Sequence, residues 1–193
     1  SKIDGEIIFK NVTYKYLETE IIATKNVSFI LKKGSKLGIT GSTGSGKSTL
    51  MNLICRLYDI EEGEILIDNN PVKKINLKSL RETIGYVPQD TFLFSDTIMN
   101  NIKFGLNNAT ENDVINACKT AKIHNEIMNF DKGYETLLGE RGINLSGGQK
   151  QRISIARALI KKPKILILDD CLSAMDTETE KAILQSLEDY TKG

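Results

Sequence analysis

The run SKLGITGSTGSGKSTLMNLICRLY, Ser35 to Tyr58, changes character twice along its length. It begins as a short apolar strand, SKLGIT. It then enters a stretch too rich in glycine to belong to either neighbour, and it leaves as the apolar helix LMNLICRLY. Gly41, Gly46, Lys47 and Ser48 satisfy G-x-x-x-x-G-K-[ST], in the strand-before and helix-after setting that gives this pattern its meaning. Glycines let backbone N–H groups curl around phosphate oxygens, and the helix adds the positive end of its dipole. The candidate phosphate binders are Gly41, Ser42, Thr43, Gly44, Ser45, Gly46, Lys47, Ser48 and Thr49. Lys47 reaches the β- and γ-phosphates as a point charge, and the Ser48 hydroxyl is a ligand for Mg²⁺.

A phosphate loop of this kind also needs a carboxylate to hold magnesium, supplied by the end of a neighbouring apolar strand. KILILDDCLSAMD, Lys164 to Asp176, offers two. Asp169, directly after Ile165–Leu168, fits the metal-holding role, and Asp170 stands beside it. These two motifs do not separate an ATPase from a kinase or a GTPase. No guanine-selecting N-K-x-D occurs.

Outward from these motifs the chain alternates strands with helices. EIIFKNVTYKY and IIATKNVSFILKKG read as strands, EGEILID as another, NLKSLRETI as a short helix and GYVPQ as a strand stopping at Pro88. The pattern turns helical from about Thr97. ATENDVINACKTAKIH has Thr110 as N-cap and Val114, Ile115, Cys118 and Ala121 on one face. NLSGGQKQRISIARALI is a glycine turn opening into a helix with the stripe Ile153, Ala156 and Ile160. TETEKAILQSLEDY is a last helix, with Asp176 near its start. The fold class is therefore α/β with a largely parallel central sheet, an antiparallel N-terminal portion and a helical insert around 93–145. The chain stops at Gly193, just after a helix, where such a domain would add a further strand. The expectation is a domain cut short at its C-terminus.

The 193 residues carry a formal charge of +1 and a pI near 7.6, which gives no basic field for nucleic acid. Three cysteines, Cys55, Cys118 and Cys171, lack metal-type spacing and read as reduced thiols. No apolar run reaches the roughly 18 to 20 residues of a membrane span, and no signal-peptide pattern opens the chain.

At LSGGQ, Leu145 to Gln149, the motifs combine. This pentapeptide, the phosphate loop and the LILDD strand together resemble the nucleotide-binding domain of ATP-binding-cassette (ABC) transporters, over nearly the whole chain. The resemblance implies a P-loop NTPase core over 1–92 and 146–193, including the β subdomain, with an α-helical subdomain over 93–145. It implies ATP and Mg²⁺ as ligands. Tyr16 stands where the family stacks an aromatic ring on adenine, with Tyr14 the competing choice. Gln89 matches the loop glutamine that touches Mg²⁺ and the attacking water. GERG, Gly139 to Gly142, matches a segment contacting the membrane domain in exporters, and Ser173 to Asp176 resembles the D-loop.

In this family two domains pack head to tail with ATP between them. Ser146, Gly147, Gly148 and Gln149 would thus contact the partner's nucleotide, their helix N-terminus facing its γ-phosphate. TFLFSDTIMNNIKFG and LLGERGINLSGGQKQRISIARAL look like the exporter branch, with a transmembrane domain upstream or as a separate subunit and the cassette on the cytoplasmic face. ILILDDCLSAMDTETE looks most like one half of a bacterial heterodimeric multidrug exporter. Parts also resemble the mitochondrial metal-homeostasis exporters.

Two departures bear on catalysis. The family's second strand-end carboxylate is usually glutamate, the group that polarises water; here Asp170 is one methylene shorter, about 1.2–1.5 Å less in reach. A base acts within about 2.6–3.2 Å of its proton. The expectation is a site that binds MgATP well and hydrolyses it slowly. Second, the only histidine, His124, precedes the signature, so the family's switch histidine lies beyond Gly193 or is absent. Alternatives are a non-hydrolysing clamp within a heterodimer and a soluble cassette ATPase acting on DNA or ribosomes. The latter expects a long coiled coil or a second cassette, and the chain has neither.

Overall fold

Asn11 breaks the alternation of the first strand, and the break explains the sheet built on it. In the computed structural model, which describes residues 3–142 and 144–192, strand β1 (Ile7–Lys15) buries Ile7, Phe9, Val12 and Tyr14. That sequence skips from every second residue to a gap of three. Asn11 takes a left-handed φ of 49°, and the register against both neighbouring strands shifts there. One extra residue is thus accommodated as a bulge, and the inward face is recovered beyond it. Opposite the bulge, Gly63 has φ 86°, and a Cβ there would run into the carbonyl oxygens of Lys10 and Asn11. Glycine is the residue that fits.

The chain divides into two compact units, Ser1–Ile84 and Gly85–Gly193. In the first, β1 pairs antiparallel with β2 (Ile22–Leu31) and β3 (Glu62–Ile67), and β3 pairs with the short β4 (Asn70–Pro71), giving the order β2-β1-β3-β4. Phe9 faces Phe29 across the ladder with ring centroids 4.5 Å apart. Helix α1 (Lys47–Ile54) follows the phosphate loop and buries Leu53 and Ile54. Helix α2 (Leu77–Thr83) starts at Asn76, whose side chain accepts from the Ser79 N–H.

The expected strand SKLGIT is not one. Residues 35–40 join no ladder among the described residues, and Leu37 is largely exposed. Apolar character suggests a strand, but a strand exists only where a neighbour takes up its backbone groups. The central sheet is correspondingly smaller than expected. Among the described residues it is the two-stranded pair β5 (Ile84–Val87) and β6 (Ile165–Leu168), with the Asp169 N–H donating to the Val87 carbonyl at 2.9 Å.

Helices dominate the second unit: α3 (Ile98–Lys103), α4 (Glu111–Thr120), α5 (His124–Met128), α6 (Gly147–Leu159) and α7 (Thr177–Lys192). Thr110 caps α4 in a reciprocal box with Asp113, as the sequence predicts. Asp176 receives the Thr179 N–H at the start of α7. Helix α6 is the hub. Its expected stripe of Ile153, Ala156 and Ile160 is buried, but so is every residue from Gln151 to Ala156. A helix buried on all sides lies inside a core rather than against it. Helices α3 and α4 pack on it, and Ile98, Ile102, Val114, Cys118 and Ile127 fill the space around it. Among the described residues no helix is long and apolar enough to cross a membrane. Ile143 and Gly193, the latter the chain end expected to be truncated, lie outside the described residues.

Candidate nucleotide site

The phosphate loop is shaped by two left-handed glycines, Gly44 (φ 80°) and Gly46 (φ 88°). Gly46 is the residue from which α1 starts, and a Cβ on it would lie against the Ala23 carbonyl oxygen. Any side chain would therefore push the loop off β2. The Lys47 ammonium folds back over the turn and donates to the carbonyls of Gly41 (2.7 Å) and Ser42 (2.8 Å). These bonds close the loop and hold a positive charge at its centre. Gly41, Ser42, Thr43, Gly44, Ser45 and Ser48 are exposed. Thr49 differs from them: it is buried, and its hydroxyl lies 2.9 Å from the Tyr16 hydroxyl.

That bond ties the loop helix to the tyrosine beyond β1. Tyr14 is buried, and burial raises its phenol pKa, with Tyr58 and Tyr16 adding to the effect. Tyr16 is half-buried and stands edge-on to both Tyr14 and Tyr58, with centroids 5.1 and 5.6 Å away. Of the two competing tyrosines, Tyr16 is the one with free ring surface.

In the second unit the two strand-end aspartates part company. Asp169 is buried and accepts from the Tyr86 hydroxyl at 3.3 Å. Asp170 is exposed and adopts φ 46°. Its carboxylate accepts from the Gln89 amide at 3.2 Å, while its carbonyl accepts from the Ser173 hydroxyl at 2.9 Å. Gln89 and Asp170, read separately from the sequence, are thus brought together. Beneath them, burial pushes the Cys171 thiol up to about 12, and the Asp169 and Asp170 charges add to the rise.

The LSGGQ turn caps α6. Ser146 accepts from the Gln149 N–H at 3.2 Å, and the Gln149 side chain accepts from the Ser146 N–H at 3.0 Å. Gly147 and Gly148 sit in the first turn, whose N–H groups have no partner within a helix. Ala174 lies close behind both glycines and Met175 behind Gly148. The other end of the Gln149 side chain donates to Glu126 on α5. Glu126 also pairs with Arg152, a buried cation of α6. The sequence reading did not single out Glu126 or Arg152. Neither carries a sequence signal: Arg152 closes the polar stretch Lys150–Arg152 ahead of the apolar residues of α6, and Glu126 lies on another helix. His124 opens α5, with Nδ1 2.9 Å from the Tyr134 hydroxyl. Within GERG, Glu140–Gly142 forms a 3₁₀ turn.

Residues 24–173 match the model of the ABC transporter family. The chain belongs to that family. It is the ATP-binding domain, in a family that hydrolyses ATP. The chain is 51% identical over 98% of its length to the uncharacterized ABC transporter ATP-binding protein YfiB of Bacillus subtilis (strain 168), covering 33% of that protein. It is 48% identical over 98% of its length to the multidrug resistance-like ATP-binding protein MdlA of Escherichia coli (strain K12), covering 32% of it. The structure of a bacterial Atm1-family ABC exporter with ATP bound superposes with a TM-score of 0.92 at 41% identity, over 97% of this chain and 32% of that one. The chain thus spans between about a fifth and a third of the length of the curated relatives it matches.

Proposed function

We propose that this ABC domain binds MgATP on the 41–49 loop and, with a second such domain, drives substrate export through a transmembrane domain on whose cytoplasmic face it sits. The observation that carries this reading is the close likeness, in fold and sequence, to an ABC exporter with ATP bound. In the proposed organisation, residues 1–92 and 146–193 are the ATP-binding core and 93–145 the helical subdomain.

The roles follow from chemistry. The Tyr16 ring takes the adenine face. The backbone of Gly41 to Gly46 cradles the phosphates, with Lys47 and Thr49 completing the grip. Oxygens of Ser48, Gln89 and Asp169 are the hard donors that suit Mg²⁺. The buried Asp169 carboxylate, which accepts from the Tyr86 hydroxyl, has the acceptor capacity for that role. Held there, Mg²⁺ would neutralise phosphate charge. Asp170 orients the attacking water, assisted by Gln89. Ser146, Gly147, Gly148 and Gln149 face the nucleotide of the other domain.

Asp170 is short for a base, so this chain's own site turns over slowly and serves as the holding site of a heterodimer. The runner-up, a clamp without hydrolysis, rests on the same short carboxylate. Sedimentation of the full-length polypeptide with its partner tests the sandwich. Association is expected with a non-hydrolysable ATP analogue and loss of association with ADP. Equal association with both nucleotides would sink the reading. Single-turnover cleavage resolved by site separates a slow site from a silent one.

A further inference from the structure

Helix α6 presents the signature turn, but a residue 20 positions upstream determines how that turn is held. We propose that Glu126 is a positioning residue for the signature: its carboxylate locks Gln149 and Arg152, and through them sets the first turn of α6 that faces the second domain's nucleotide. The inference rests on the sandwich reading above.

The connections run in one direction. Glu126 Oε2 accepts from Gln149 Nε2 at 3.0 Å and from Arg152 Nη2 at 3.1 Å, and its Oε1 accepts from Arg152 Nη1. Gln149 is then used at both ends, because its Oε1 accepts the Ser146 N–H at 3.0 Å. The amide has a single workable orientation here. Reversed, it would set its oxygen against the Glu126 carboxylate and its NH₂ against the Ser146 N–H. A chain of two side-chain bonds, Glu126 to Gln149 and Gln149 to Ser146, therefore leads from the helical segment to the cap of the signature helix.

Arg152 adds a second strut. Its Nη1 donates to the Lys122 carbonyl at 2.8 Å and its Nε to the Gly148 carbonyl at 3.2 Å. Lys122 adopts φ 57°, in the turn just before α5. That same turn-and-helix delivers Glu126, and it is pinned by Ile123 and Ile127, both fully buried. The anchor is rigid, and what it holds is the glycine turn. A charge-assisted fork of this kind fixes direction as well as distance.

The arrangement matters because the glycines themselves lack side chains to fix them. In the sandwich reading, catalysis depends on where the N–H groups of Gly147 and Gly148 point. Misplacement by about 1 Å costs on the order of 100-fold in rate, even from residues that never touch the reacting atoms.

The near-isosteric Glu126→Gln separates positioning from folding, measured in the full-length polypeptide with its partner. The expected result is a kcat for ATP lower by roughly 10- to 100-fold, as for other supporting residues. Binding of a fluorescent, non-hydrolysable ATP analogue to this chain's own loop should stay within about twofold, since no bond of the loop involves Glu126. Gly148→Asp, placed in the signature itself, is the companion variant and is expected to abolish turnover. If Gly148→Asp abolishes turnover and Glu126→Gln does not lower it, the positioning role is overturned while the sandwich reading stands. If neither variant lowers turnover, the sandwich reading fails and the inference with it. If Glu126→Gln weakens analogue binding and kcat in parallel, Glu126 is only a stabiliser of the fold, and the inference is overturned.

Discussion

The Gln89 amide donates to the Asp170 carboxylate at 3.2 Å, and Asp170 holds its place in a left-handed backbone conformation with φ 46°. Aspartate and asparagine visit that region more readily than longer side chains, because a short polar group bonds locally. The residue that looks one methylene too short for a base is thus also one that suits its backbone. Asp170→Glu should therefore move two quantities in opposite directions. Turnover at this chain's own site is expected to rise by about 10- to 100-fold as the carboxylate gains reach. Stability is expected to fall by up to about 1 kcal/mol. Site-resolved single-turnover hydrolysis and urea unfolding read the two effects. Unchanged turnover with lowered stability would mean that reach does not limit the reaction.

Asn101 and Arg157 form a second close relationship, this one structural. The guanidinium donates to the Asn101 carbonyl at 2.7 Å, to its side-chain oxygen at 2.9 Å and to the Phe92 carbonyl at 2.8 Å, and it lies over the Phe94 ring. Burial lowers the Arg157 pKa to about 10, so the charge is held at a cost and depends on these acceptors. The Asn101 side chain also bonds both the N–H and the carbonyl of Phe94. Asn101→Ala leaves a largely desolvated cation short of a partner and the Phe94 N–H unmet, while the Phe94 carbonyl keeps the Asp96 N–H at 2.8 Å. A loss of about 2–4 kcal/mol in the unfolding midpoint analysis is expected.

Thr110→Ala isolates folding from ligand binding. The hydroxyl accepts the Asp113 N–H at 3.2 Å and donates to the Asp113 carboxylate at 2.7 Å. Hydrogen bonding from Thr110 holds the Asp113 carboxyl below its usual range. Loss of the cap should cost about 1 kcal/mol. Calorimetric ATP affinity should not change.

Alkali should unfold the protein earlier than its tyrosines and lysines alone would suggest. Burial pushes the Cys118 and Cys171 thiols from 9.0 up to about 12. Their native forms keep the proton that the unfolded chain releases, so stability is full below pH 9 and falls as pH rises toward 12. Arg157 acts in the opposite sense above pH 10, because its native form gives up its proton before the unfolded one does. The clearest window is therefore pH 9 to 10. Thermal unfolding across that window should drop in the wild type and drop less in Cys118→Ala, relative to its own value at pH 7.

Local chemistry was legible in the sequence, and long-range pairing was not. Thr110 could be read as a cap, and Asp176 placed near the start of the last helix, because each bonds a residue three positions on. The phosphate loop could be read because its glycines and lysine act within one turn. Residues 35–40 misled, because their apolar pattern says nothing about which strand would pair with them. The contrast between Asp169 and Asp170 was half legible: side-chain length is written in the sequence, but the left-handed φ is not. Glu126 was invisible because its partners lie 23 and 26 positions away, on another helix. Burial of the whole central turn of α6 also erased the one-sided stripe that periodicity looks for.

The hydroxyl contact between Tyr16 and Thr49 has an optical consequence. The chain has no tryptophan and six tyrosines, and three of them, Tyr14, Tyr16 and Tyr58, form one ring cluster joined through Thr49 to the loop helix. Half of the chain's tyrosines therefore stand in that one cluster, and no indole is present to mask them. The bare domain carries its own label: a change in tyrosine emission on titration with a nucleotide would report occupancy with no dye attached.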